Sequence, residues 1–402
     1  MRILFVALNY PPDTQASQDR IYNLAVRLRS MGHEVVILAA NAVEPGRDLF
    51  TQFRSVGEPP RIVEIVPPKL SRTRRDHRRD LVINVWFVLA SILSRRKYGR
   101  VDVVIAQSPP LIAGLAGWLI AKLGRARFVL NVSDLYPDAM IVAGALRNPR
   151  AIRIARGLEE FLYRHAALVA VQTQGIFDDI RKRFPALRMC LSICGSDVAS
   201  YRESAAMTHA DNDDHRDFIV GFAGLHGFAQ SVGTVLMAAR ALSDHRDIKF
   251  HLYGDGPMKP LLVKLRDDLG LSQVTFHDHQ PKSRMPEIFA SFDVALVPLR
   301  IGRISEGTLP AKMYEAMAAA KPVVLAAEGE APRMLQAAQG GLCSPPEDGD
   351  AMAQAILQLY RDRELARRMG QNGRRYAELH FDWKVIAANL DRELRTLMEE
   401  SA

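Results

Sequence analysis

Short runs of apolar residues recur along this chain, each closed by a Gly, Pro or polar break and followed by a segment with helical spacing. RILFVALN, HEVVILAA, VDVVIAQS, RFVLNVSD and ALVAVQT occupy the first half, and FIVGFAG, DVALVPLR and PVVLAA stand out in the second. The core of each run is continuously apolar, without the alternation of a half-exposed strand. Such runs suit strands buried on both faces, which occur almost only in parallel sheets covered by helices. The first unit is explicit: a strand, a helix from Asp19 to Met31 with Ile21, Leu24, Ala25 and Leu28 on one face, a stop at Gly32, and a second strand. That order implies a parallel pair joined by a right-handed crossover.

The pattern stops and restarts. Helices are read at Arg153–His165 and Gly175–Phe184, a weak strand at LSICGSD, and then SAAMTHADNDDHRD runs polar with no hydrophobic period and marks a linker. From Phe218 the strand, glycine loop and helix sequence begins again, and the strands KFHLYGDGP and VTFHDH follow. A chain of 402 residues supports two cores of ordinary size, so two doubly wound domains are expected, at 1–198 and 217–382, with a last helix over about 383–402. With 48% hydrophobic and 24% charged residues, composition excludes a disordered or fibrous chain. The formal net charge of +8 favours anionic partners: a nucleotide diphosphate, a lipid surface or nucleic acid. No aromatic-interleaved basic module supports nucleic acid.

Polar residues gather where the strands end, which is where doubly wound sheets place their ligands. Ser108, Ser133 and Asp134 follow two strands of the first half. In the second half, Gly224 and Gly227 permit close approach of a phosphate, and Gly254-Asp255-Gly256-Pro257 closes the next strand. The densest cluster lies in ISEGTLPAKMYEAMAAAKPVVLAA, from Ile304 to Ala327. Pro310 suits a first helical turn, Ala311 to Ala320 is rich in helix formers, and Lys321-Pro322 stops the helix before a buried strand. Thr308, Lys312 and Glu315 then stand near a helix N-terminus, where N–H groups and an ammonium suit a phosphate and a carboxylate suits ribose hydroxyls. No metal site is expected. Cys190, Cys194 and Cys343 lack a second pair, Asp211-Asn212-Asp213 sits in the charged linker, and His277-Asp278-His279 has no evident third ligand. With so few cysteines a reducing cytosol is the expected setting, and MRILFVALNYPP reads as the first strand and not as a signal peptide.

The segment LPAKMYEAMAAAKPVV resembles the signature of the family 4 retaining glycosyltransferases of the GT-B superfold. Other likenesses are Asp134-Leu135-Tyr136-Pro137, Cys194-Gly195 with Asp197 at the exit of the first domain, the glycine loop after Phe218, and a terminal helix anchored by Phe381 and Trp383. The resemblance spans nearly the whole chain. It implies an α/β GT-B fold, two Rossmann-like doubly wound domains facing a cleft, with the C-terminal helix crossing back to the first. Departures are visible too: Gly307 stands eight residues before Glu315 where many members have a glutamate, with Glu306 one place off. Leu225 replaces an asparagine, Thr14-Gln15-Ala16-Ser17 replaces a glycine loop, and no histidine lies near Ser108-Pro109-Pro110.

From this resemblance the donor contacts are expected at Gly224, Gly227, Gly254, Asp255, Gly256, Thr308, Leu309, Pro310, Lys312 and Glu315. Acceptor contacts are expected at Ser17, Ser108 and Asp134, and catalytic roles at Lys312, Asp134 and Glu306. The implied reaction moves a sugar, with a UDP-linked N-acetylated amino sugar as the specific expectation, from a nucleoside diphosphate to a lipid-linked or saccharide acceptor with retention. Polysaccharide or lipopolysaccharide synthesis is the setting, without metal or cofactor. A sugar-nucleotide epimerase of the same superfold and a catalytically degenerate partner subunit are the alternatives. In KLSRTRRDHRRDLVINVWFVLASILSRRKYGR, basic clusters flank an apolar run from Leu81 to Leu93 too short to span a bilayer. The expectation is a cytoplasmic enzyme held peripherally on the anionic inner face of the plasma membrane, with the apolar run lying at the interface or packed in the core.

Overall fold

The computed structural model describes residues 1–8, 16–40, 60–65, 77–142, 144–208, 217–301 and 309–400. It divides into two compact units: Met1–Cys194 with Ile386–Ala402, and Gly195–Val385. Each unit is built on one parallel sheet.

In the first unit the strands are β1 (Arg2–Ala7), β2 (Glu34–Ala39), β3 (Arg61–Glu64), β4 (Val103–Ser108), β5 (Arg127–Val132), β6 (Leu168–Val171) and β7 (Met189–Leu191). They lie in the order β3-β2-β1-β4-β5-β6-β7, every neighbour parallel. Register sets Phe5 beside Ile37 on one side and Ile105 on the other, so apolar side chains stack across the sheet centre. Leu4, Val36 and Val104 are fully buried there. The sheet reverses its winding between β1 and β4, and the carboxyl ends of those strands flank the ligand position of such folds.

Some helix bounds differ from the sequence expectation for local reasons. Pro149–His165 starts four residues earlier than Arg153, because Asn148 caps it, accepting the Arg150 N–H at 2.9 Å, and Pro149 needs no N–H at the first position. Val198–Thr208 is a helix of the second unit, overlapping the expected polar linker from Ser204. Among its described side chains Val198 and Tyr201 are the buried anchors, and Tyr201 meets the Phe289 ring at 6.0 Å. The Asp211-Asn212-Asp213 run lies outside the described residues. The last helix, Trp383–Glu399, starts in the second unit and supplies Ile386 onward to the first. There Asp391 accepts from His33 Nε2 at 2.6 Å, and Arg188 pairs with Glu393 and Glu400.

In the second unit the strands are β8 (Phe218–Ala223), β9 (Ile248–Tyr253), β10 (Val274–His277), β11 (Val294–Pro298), β12 (Val323–Ala326) and β13 (Gly341–Ser344). Their order is β10-β9-β8-β11-β12-β13, again all parallel. This is the Rossmann order, and its switch point falls between β8 and β11. Phe218, Val220, Phe222, Phe250 and Leu252 fill the core beneath. Among the described residues no helix is long and apolar enough to cross a membrane.

Candidate functional site

The loops leaving β8 and β9 are fastened to each other by main-chain bonds. The Gly224 N–H donates to Tyr253 O at 3.0 Å, the His226 N–H to Asp255 O at 2.8 Å, and the Met258 N–H to His226 O at 3.0 Å. Glycine is required for this approach: a Cβ on Gly254 would overlap the carbonyl oxygen of Gly224, and one on Gly256 would stand 2.6 Å from His226 O. Gly256 donates its own N–H to the Asp255 carboxylate at 2.8 Å, so Asp255 braces the loop it belongs to. Lys259 completes the brace, its ammonium reaching Gly254 O, His277 O and Asp278.

Lys312 meets this pair of loops from the other side of the switch point. It lies on the helix Ala311–Ala318, which follows buried Leu309 and Pro310; Pro310 precedes the first turn and supplies no capping side chain. The helix is shorter than the expected Ala311–Ala320, because Ala320 already adopts φ 55° and the chain turns into Lys321-Pro322. Lys312 Nζ donates to Gln230 Oε1 at 2.9 Å, lies 4.1 Å from the Phe222 ring centroid, and would stand 3.2 Å from a Cβ on Gly224. Burial lowers its pKa to about 7, although the charge of Glu315 pulls the other way. Glu315 is half-buried one turn further along the same helix. After the first glycine loop a single tight turn at Phe228–Gln230 precedes the helix, which begins at Val232.

The structure therefore brings Gly224, Gly227, Gly254, Asp255, Gly256, Lys312 and Glu315 into one region of the second unit. Glu306 and Thr308 lie outside the described residues. In the first unit, Ser17 falls in the opening turn of the helix Ala16–Ser30, and its side chain is outside the described ones. Ser108 ends β4 and is buried. Beside it runs a buried polar chain, Asn131 to Gln107 at 2.6 Å and Gln107 to Ser133 at 2.8 Å, that ties the ends of β4 and β5 together. Asp134 follows, exposed at its outer side; protein packed behind it raises its carboxyl above the ordinary range, against the opposing pull of the Leu135 N–H.

His226 was not singled out by sequence reasoning. Its ring is wholly buried between Phe222 and Phe276, at 5.6 Å from each, and neither ring nitrogen has a hydrogen-bond partner. Burial, with the charges of Lys259 and Lys312 and against that of Asp255, lowers its pKa to about 4, so the ring is neutral at ordinary pH. Gln230, the hydrogen-bond partner of Lys312, was not singled out either. No sequence signal marks either residue, since both depend on contacts with distant strands and helices. Among the described residues no group of three or more His, Cys, Asp or Glu is placed to hold a metal.

Two family profiles match the chain: "Glycosyl transferase 4-like domain" over residues 16–191 and "Glycosyl transferases group 1" over residues 217–362. WcaI of Escherichia coli K12, named as a colanic acid biosynthesis glycosyl transferase, is 24% identical over 98% of this chain and its own full length. WbjE of Pseudomonas aeruginosa, named as a glycosyltransferase, is 25% identical over 68% of this chain and 70% of its own. The crystal structure of Anabaena HepE in complex with UDP shares the fold, with a TM-score of 0.71 at 17% identity over 98% of this chain and all of that one.

Proposed function

This chain belongs to the family 4 glycosyltransferases of the GT-B superfold and acts in polysaccharide biosynthesis, and we propose that it takes its sugar from a nucleoside diphosphate with retention of anomeric configuration. The observation that carries the donor reading is the Lys312 ammonium held beside Gly224 at the switch point of the second sheet. Negative charge grows on the departing diphosphate as the sugar–phosphate bond breaks. A fixed cation and the N–H groups of glycine loops favour that charge more than the ground state, which lowers the barrier. The neighbouring Glu315 carboxylate suits the ribose hydroxyls. Retention follows from a same-face displacement in which the leaving phosphate takes the acceptor proton, so no separate protein base is required.

The UDP held by HepE supports uridine as the nucleoside, and the N-acetylated amino sugar is our specific choice. Lipid-linked or saccharide acceptors fit the named role of WcaI, with Ser17, Ser108 and Asp134 in the first unit as acceptor contacts and Glu306 and Thr308 completing the sugar site. The leaving charge is met by protein groups, so the reading includes no metal. The enzyme works on the cytoplasmic face of an anionic membrane as a peripheral protein. The test is acceptor-dependent release of nucleoside diphosphate across a panel of sugar nucleotides, with the product anomer assigned by NMR and EDTA leaving the rate unchanged. Donor consumption without acceptor would replace this reading by an epimerase; absence of turnover with every donor would replace it by a degenerate partner subunit.

A further inference from the structure

The helix His77–Leu93 presents two apolar faces, and only one is used by the core. Phe87 and Ser91 are fully buried, with Val88 beside them, and Tyr98 OH bonds back to Ser91 O at 3.2 Å. On the opposite side Val82, Val85, Leu89 and Leu93 are 51%, 51%, 57% and 81% exposed. Their spacing of three, four and four residues sets them in one continuous stripe along the helix. Exposed leucines elsewhere, such as Leu379, are scattered and ordinary, whereas a contiguous stripe marks a contact surface.

Charge identifies what the stripe touches. Directly beyond Leu93 the chain carries exposed Arg95, Arg96 and Lys97, then exposed Arg100, with no acidic residue from Leu81 to Val101. Arg95 and Arg100 also line a small pocket with Leu123, a further exposed leucine at the end of the helix Leu111–Gly124. Apolar side chains edged by several exposed cations match the boundary between acyl chains and anionic headgroups, where each cation near the surface adds to binding. We propose that the Val82–Leu93 stripe, with Arg95, Arg96 and Lys97 at its end, is the face by which this protein lies on an anionic lipid surface. The proposal rests on the peripheral-membrane reading above and assigns it to one surface.

The test is co-sedimentation with vesicles of phosphatidylglycerol and phosphatidylcholine, against phosphatidylcholine alone, at low and high salt. The wild type should bind the anionic vesicles. Leu89→Gln with Leu93→Gln should weaken partitioning by about tenfold or more, since two exposed side chains no longer enter the acyl region. Arg95→Gln with Arg96→Gln and Lys97→Gln should abolish the preference for phosphatidylglycerol and the salt dependence. Both variants should keep the wild-type melting temperature and its shift with nucleoside diphosphate; if the double leucine variant melts early, Leu93→Gln alone serves, at the most exposed position. Wild-type partitioning by both variants would overturn this surface and leave the peripheral reading standing. A wild type indifferent to anionic vesicles would remove both.

Discussion

Donor binding should take up a proton, and Lys312 is the group that accepts it. In the ligand-free protein its Nζ is walled in by Phe222, Gly224 and Gln230, and its pKa is about 7. A diphosphate arriving about 4 Å away contributes roughly 4 kcal/mol per charge at a surface-like effective dielectric, enough to return the pKa to about 10. The complex therefore holds a proton that the free protein has lost above pH 7. Affinity for an intact sugar nucleotide, which has no phosphate titrating near neutrality, should fall about tenfold per pH unit, or about 2 kcal/mol between pH 7.5 and 9. Calorimetry at pH 8 in buffers of different ionisation enthalpy should report close to one proton taken up, and Lys312→Met should abolish both the uptake and the slope. Unfolding cannot mimic this trend. A lysine whose pKa is depressed in the folded state makes the free fold more stable as pH rises from 7 toward 10.5, because the unfolded chain keeps its proton longer. Zero uptake at pH 8 with affinity flat to pH 9 would refute the placement of Lys312 at the phosphates.

Other outcomes are equally measurable. Glu315→Ala should weaken binding of the nucleoside diphosphate by roughly 1.5–3 kcal/mol, as for hydrogen bonds to a charged group, and unchanged calorimetric affinity would exclude Glu315 from the ribose. Lys312→Met should lower turnover at saturating donor more than it weakens binding of the free nucleoside; wild-type turnover would contradict a role in bond breaking. Gly254→Ala forces a Cβ onto the Gly224 carbonyl and should destabilise the second unit by about 3 kcal/mol, read as a lowered melting temperature. His226 has a pKa of about 4 when folded and 6.5 when unfolded, so stability is intact above pH 6.5 and falls as pH drops toward 4, by about 3 kcal/mol in full. His226→Phe should flatten that acid limb between pH 6.5 and 4.5, and a melting curve with the wild-type acid slope would show that another group carries it.

Much of the architecture was written locally. Runs such as VDVVIAQS and DVALVPLR are apolar at every core position, and only a strand covered on both faces satisfies such a run, so parallel sheets flanked by helices follow from the residues themselves. The recurrence of the pattern from Phe218 likewise announced a second sheet, and the proline, lysine and glutamate at 310, 312 and 315 marked one helix as chemically distinct. Tertiary contacts decided the rest. The surroundings of Lys312 include Gln230, 82 residues away, and Phe222, and no local pattern states that the three meet. His226 reads in sequence as one polar residue in a glycine loop, yet folding closes two aromatic rings over it. Residues 81–93 are apolar nearly all round, so periodicity could not choose their inward face; the packing of Phe87 and Ser91 chose it and left the Val82–Leu93 stripe outside. Periodicity reports a residue's neighbours within one element. Burial and charge environment are set by partners that only the completed fold brings near.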